Sequence, residues 1–384
     1  MSKLLAQRSV GGLADAIDAN EDFTLVDTRP TESFEAWHVP GAVSVPYHPV
    51  DGLGGGFTWD DVAALLDDDP IAVICAKGLA STSFGFELSA RGYEEVSVVK
   101  GGMEDWSKLY DVVELDVDGD LFLAQIQRRA KGCLGYVVGD RETSEALVVD
   151  PTRQHHEFEL VAADAGLRIT GVLDTHVHAD HLSGGRALAD RVSVPYYLHS
   201  EATERDVLYD FTPVSDGQTL SVGDVDVEVL AAPGHTTELV NLLVDGEYLL
   251  SADTLFVESV GRTELEFGDA GAEAGAEMLY ETLHDVYADL ADDVTVLPGH
   301  VSVDADGRFG VGEPGELVAA TLGDLREQLH LFALDRDGFV ERVTERTDEK
   351  PPNFETVIDV NRGVFELEPS EGDDLELGPN NCAV

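Results

Sequence analysis

Short apolar runs alternate with helix-length stretches over the first hundred residues. FTLVD at 23–27, AVSVPY at 42–47, IAVIC at 71–75 and VSVVK at 96–100 are each bounded by polar or turn-forming residues and are too short for helices. Between the last two, STSFGFELSARG at 81–92 reads as a helix stopped by Gly92. This rhythm predicts a small parallel α/β domain spanning 1–112. DGLGGG at 51–56 lacks dinucleotide-binding spacing and follows no clear strand, so it reads as a surface loop.

From about residue 115 the pattern becomes strand-rich. DLFLAQI, LGYVVGD, EALVVD, ITGVLDTH, PYYLHS, DVEVLAAPG, LVNLLVD and EYLLSAD follow one another with helices interspersed, which suits two stacked sheets flanked by helices. EMLYETLHDVYADL at 277–290 and GELVAATLGDLREQLHLFAL at 315–334 carry helical periodicity. The acidic stretch around 108–118 reads as the linker, leaving 113–384 as a second domain. No internal repeat is present.

A chain of 384 residues is long enough for two self-sufficient cores. Asp and Glu number 76 against 24 Lys and Arg, a formal net charge of -52 spread along the sequence. Such a surface excludes nucleic acid and anionic membranes as partners. With 43% hydrophobic residues the chain still folds, so its carboxylates lie outside. Self-repulsion relaxes only when the screening length falls to about 3 Å in molar salt, which predicts a halophilic host. No long apolar run or leader pattern is seen, and Cys75, Cys133 and Cys382 are too few for a disulfide framework, so a reducing, cytoplasmic setting is expected. The sequence is compatible with a homo-oligomer without requiring one.

The chemistry concentrates in THVHADHLSGG at 175–185. His176 and His178 sit at the carboxyl end of the predicted strand ITGVLDTH, two apart on an extended loop, and Asp180 and His181 follow just before a helix start. His235 in AAPGH, Asp253 in LLSAD and His300 in TVLPGH repeat the same context, an apolar strand and then a metal-seeking side chain. A closed structural zinc site would favour cysteines, which are absent from these motifs.

These seven residues resemble the metal-ligand pattern of the metallo-β-lactamase superfamily. The resemblance covers about 115–384 and implies an αββα sandwich with the metal site at one edge of the two sheets. Members that use all seven ligands hold two zinc ions and a bridging hydroxide, as the glyoxalase II thioesterases do. Members similar to persulfide dioxygenases hold one Fe(II) through the positions matching His176, His235 and Asp253, two imidazoles and a carboxylate that leave places for sulfur and O₂. His178, Asp180, His181 and His300 then orient the ligands and shape the pocket, or hold a second metal.

ESVGRTELEFGDAG at 258–271 resembles the stretch after the iron aspartate in the dioxygenases, which implies that Arg262 presents its guanidinium fork to a substrate carboxylate. After His300 the chain reads VSVD where those enzymes carry an Asp-Tyr pair. KPPNFETVIDVNRG at 350–363 is similar to the tail of the same branch and is expected to be a packing element.

In the first domain, DTRPTESFEAWHVPGAVSVPY at 27–47, CAKGLAS at 75–81 and KGGMEDW at 100–106 resemble, in order, three signatures of the rhodanese domain over about 5–110. Cys75 leaves a buried strand into a loop before a helix, where backbone N–H groups can surround an anion. Gly78 permits the tight loop and Lys77 adds positive charge.

The expected architecture is therefore α/β, a small rhodanese-like parallel domain followed by a metallo-β-lactamase αββα sandwich. The expected activity is oxidation of a thiol persulfide by O₂ at one Fe(II) per chain, coupled to sulfane sulfur transfer through Cys75, with sulfite or thiosulfate as partners of that loop. The alternative is a thioester hydrolase with two Zn ions.

Overall fold

A computed structural model describes residues 5–66, 70–345 and 350–376. Cys382 lies outside the described residues. The amino-terminal domain is a five-stranded, wholly parallel sheet, with Ala6–Arg8, Val96–Val99, Ile71–Ile74, Thr24–Asp27 and Val43–Ser44 side by side in that order. All four residues of Ile71–Ile74 are buried because helices cover both faces. One face packs Leu13, Trp37, Met103 and Trp106, and the other Val62, Phe84 and Leu88. Helix Leu79–Ala90 follows the central strand, as the pattern of 81–92 predicts.

The second domain stacks a seven-stranded sheet on a six-stranded one. In the first sheet the order is Thr212–Val214, Tyr196–His199, Arg168–Leu173, Glu145–Val149, Cys133–Asp140, Leu121–Arg128 and Tyr110–Glu114. In the second it is Thr219–Val222, Val225–Ala231, Val240–Val244, Tyr248–Ala252, Thr295–Pro298 and Ala320–Thr321. Alternation decides which side chains meet between them. Leu134, Tyr136 and Val138 face Val227, Val229, Leu242 and Leu250 in the inter-sheet core, while Val137 points outward beneath Phe158 and Leu188. Helices Ala272–Glu281, Leu322–Gln328 and Arg336–Thr344 cover the opposite outer face. Four layers result, helices outside two sheets.

Three local expectations change. The segment expected as linker contains the edge strand Tyr110–Glu114, antiparallel to Leu121–Arg128; its acidic side chains suit an exposed sheet edge rather than a tether. The helix expected from 315 begins only at Leu322, because Ala320–Thr321 pairs with Val296 and Thr295 and the Thr321 side chain caps the helix at Asp324 N. Gly52–Leu53, in the glycine-rich loop, pairs with Tyr47–His48 in a small hairpin.

The two domains are packed together. Ala130 lies in the apolar cluster of Trp37, Met103 and Trp106. Arg129 binds Asp18 from the first domain and Asp111 from the second, at 2.7–2.8 Å. Lys131 is buried with its ammonium 5.3 Å from the Trp37 ring, and burial together with Arg128 pushes its pKa down to about 7.

Candidate metal centre and sulfur-transfer loop

Strand Arg168–Leu173 runs parallel between Glu145–Val149 and Tyr196–His199, and the loop beyond it carries the histidine motif. Irregular backbone at such depth must find partners. Thr175 donates its N–H and its hydroxyl to Asp150 at 2.7 and 2.8 Å. Val177 N–H donates to Glu238 Oε1 at 2.8 Å, and Leu182 N–H to Glu376 Oε1 at 3.1 Å. Asn361, from helix Phe354–Asn361, donates to the carbonyls of His178 and His181 at 2.9 and 2.8 Å and accepts from Ser183 N–H at 3.0 Å. Side chains from four separate segments thus fix one loop.

The seven sequence-predicted ligand residues separate into three groups. His176, His235 and Asp253, none more than 2% exposed, each offer one ligand atom within 4.8 Å of the others. His235 donates Nδ1–H to the Arg262 carbonyl at 2.6 Å, which fixes its tautomer and leaves Nε2 as the lone-pair nitrogen, 3.7 Å from Asp253 Oδ2. His176 Nε2 and Asp253 Oδ2 have no hydrogen-bond partner among the described residues. Buried polar atoms left so cost about 1–3 kcal/mol each, and a shared cation is the partner that this donor set fits. Burial, with His178 and His235 nearby, holds the His176 pKa well below the usual value, so the ring is neutral, as a ligand must be. Gly261 makes the packing possible: a Cβ there would lie 1.9 Å from the Asp253 carbonyl oxygen.

The second group is Cys133, Asp180, His181 and His300, again within 4.8 Å. His300 spans the groups, with Nε2 2.7 Å from Asp180 Oδ2 and Nδ1 2.7 Å from Asp253 Oδ1. His181 Nδ1 lies 2.9 Å from Asp180 Oδ2, and Cys133 Sγ is 3.3 Å from the same oxygen. Burial opposes charge on Asp180, but His181 and His300 outweigh it and hold the carboxyl well below its usual range. His178 forms a third group with Asp150 and Asp174, its Nε2 3.3 Å from Asp150 Oδ1 without hydrogen-bond alignment. Arg262 is 0% exposed and pairs with Glu264 Oε1 through Nε and Nη2 at 2.7 and 2.6 Å. Its carbonyl, through His235, is what supports the ligand set; its guanidinium faces Glu264, where a substrate carboxylate was expected.

In the first domain, Cys75 ends strand Ile71–Ile74 and Gly78, at φ +84°, turns the chain into helix Leu79–Ala90. Gly78 N–H donates to Cys75 Sγ at 3.1 Å, and Ser81 Oγ lies 3.3 Å from it. Met103 N–H and Glu104 N–H hold the carbonyls of Cys75 and Ala76, so KGGMEDW supports the loop from behind. Cys75 lines a cavity of about 650 Å³. Lys77 is half-exposed and sits 3.3 Å from Glu104 and 3.2 Å from Asp374.

Four contributors escape sequence reasoning. Cys133 looks like a residue beside a glycine turn, but its strand starts at the metal edge. Asn361 and Glu376 lie some 180 to 195 positions from the loop they bind. Glu238, just after the PGH motif, is 0% exposed and holds both Val177 N–H and Arg205. Glu238 and Asn361 are polar residues in largely apolar stretches, which is a signal, whereas Glu376 is hidden among the acidic residues of EGDDLEL.

Residues 9–109 match the rhodanese-like domain model, and residues 129–301 the metallo-beta-lactamase superfamily model. A hydroxyacylglutathione hydrolase of Polaromonas sp. is 33% identical over 221 residues, covering 57% of this chain and 78% of that protein. The mitochondrial persulfide dioxygenase ETHE1 of Bos taurus is 29% identical over 168 residues, 43% of this chain and 62% of that protein, so this chain spans under two thirds of its length. The crystal structure of ETHE1 from Myxococcus xanthus superposes with a TM-score of 0.54 at 25% identity, covering 63% of this chain and 98% of that one.

Proposed function

Since the chain belongs to the metallo-beta-lactamase superfamily and carries a rhodanese-like domain ahead of that fold, we propose that it oxidises a low-molecular-weight thiol persulfide. The balanced reaction is RSSH + O₂ + H₂O → RSH + SO₃²⁻ + 2 H⁺. In this reading the second domain, from strand Tyr110–Glu114 onward, holds the oxidising centre, and the first exchanges sulfane sulfur with the same persulfide pool through Cys75. The observation that carries it is the set of two imidazoles and one carboxylate, His176, His235 and Asp253, whose ligand atoms lie within 4.8 Å of one another with His176 Nε2 and Asp253 Oδ2 unpartnered among the described residues.

His176, His235 and Asp253 would hold a single Fe(II), which supplies the binding and reduction of O₂ beside the substrate sulfur. The protein's own groups do the rest. Arg262 and Thr175 fix the tautomers and planes of the two imidazoles. His300 donates to Asp253 Oδ1, leaving Oδ2 toward the ligand set. Asp180, kept ionised by His181 and His300, holds those rings and accepts from Cys133.

The alternative, a thioester hydrolase with two Zn ions, draws on the second group, Cys133, Asp180, His181 and His300, and on the 33% identity to the Polaromonas hydrolase. An oxygen electrode decides between them. Persulfide-dependent O₂ uptake without cleavage of S-acylglutathione supports the dioxygenase, and thioester cleavage without O₂ uptake overturns it.

A further inference from the structure

The cavity at Cys75 is walled largely by Pro30, Pro46, Tyr47, Leu53, Leu79 and Ala80. Three basic side chains reach it, Arg29, His48 and Lys77, and each already faces a carboxylate. Arg29 is 6% exposed and bound to Asp27 through Nε and Nη2 at 2.7–2.9 Å. His48 Nδ1 lies 2.9 Å from Asp51, and Lys77 is shared between Glu104 and Asp374. Asp51 lines the cavity itself. At Sγ the loop supplies one backbone donor, Gly78 N–H. Around this mouth lies a chain of net charge -52.

A thiosulfate dianion entering here would shed water and meet Arg29 already paired with Asp27, and Lys77 already paired with Glu104 and Asp374. Uncompensated burial of charge costs several kcal/mol per ion. A persulfide on an apolar carrier brings at most one charge, which protonation of its outer sulfur removes, against two on thiosulfate, and its carrier gains from covering Pro30, Tyr47 and Leu53.

We propose that Cys75 takes its sulfur from an organic persulfide with an uncharged, apolar carrier arm, and that thiosulfate is a poor donor. The inference rests on the reading of Cys75 as a sulfur-carrying thiol. The Cys75 thiolate attacks the outer sulfur of RS–SH, the RS–S bond breaks, and the products are Cys75–S–SH and RS⁻. One S–S bond is exchanged for another, so no outside oxidant or reductant enters.

The test uses the full chain in high salt with equal concentrations of thiosulfate, glutathione persulfide and tert-butyl persulfide. Mass spectrometry of the Cys75 peptide follows the gain of one sulfur. tert-Butyl persulfide should load Cys75 at least about 10-fold faster than thiosulfate, with the charged glutathione donor between them, since burial of each unmatched charge slows entry. Ala80→Arg, which sets an unmatched guanidinium at the loop, should shift the ratio toward thiosulfate. Thiosulfate loading as fast as tert-butyl persulfide in the unaltered chain overturns the donor class while leaving Cys75 as sulfur carrier. Failure of all three donors to load Cys75 overturns both.

Discussion

Replacing Asn361 with leucine removes three hydrogen bonds while keeping the branched shape and the number of side-chain heavy atoms. The carbonyls of His178 and His181 and the N–H of Ser183 lose their side-chain partner in a site where Asn361 is only 9% exposed. At a net value of about 1 kcal/mol per bond the loss is about 3 kcal/mol, and more if the freed groups stay dry, since each then costs up to about 3 kcal/mol. The loop also carries His176, so loosening it should lower metal affinity roughly 10–100-fold, as loss of an outer partner does at other metal sites. Guanidinium chloride unfolding of the metal-free protein gives the first number and metal competition with a chelator the second. Asn361→Asp keeps the acceptor toward Ser183 but sets a carboxylate oxygen against two carbonyls, so it should be at least as damaging. A leucine variant within about 1 kcal/mol of wild type, with unchanged metal affinity, would refute the claim that this helix holds the loop.

Other outcomes separate the two centres and probe their supports. Asp253→Ala should abolish O₂ uptake and leave sulfur loading of Cys75 intact; Cys75→Ser should do the reverse, as measured with a free small-molecule persulfide. Glu376 is buried against Arg128 at 3.1 Å, and although burial opposes its charge, Arg128 and Arg153 lower its pKa. Its stabilising contribution is therefore full above the unfolded value of about 4.3 and lost as pH falls through the lower folded value. Glu376→Gln should cost about 3–5 kcal/mol near neutral pH by stranding Arg128, and the gap to wild type should close in acid melts. Thermal stability should climb steeply between about 0.1 and 1 M NaCl as the screening length shrinks from about 10 to 3 Å; a flat profile would argue against a salt-adapted surface.

Much of this molecule could be read from its residues because periodicity reports burial. IAVIC and VSVVK read as strands of a parallel α/β domain, and the recurring context of a strand followed by His or Asp pointed to His176, His235, Asp253 and His300, which the fold brings together. Pattern fails where partners are distant. Nothing in KPPNFETVIDVNRG announces that Asn361 reaches the histidine loop, and the guanidinium of Arg262, expected toward substrate, is matched by Glu264 two residues on. Edge strands also mislead: Tyr110–Glu114 looks like a linker because it opens the acidic stretch to 120 and leaves Val112 and Glu114 exposed.

The central claim, one iron held by His176, His235 and Asp253, is tested most directly by metal content. Protein purified anaerobically from cells grown with iron and zinc should contain close to one iron per chain and little zinc, and Asp253→Ala should lose that iron while keeping its fold by circular dichroism. Two zinc ions per chain, retained through dialysis and lost on His178→Ala, would contradict it.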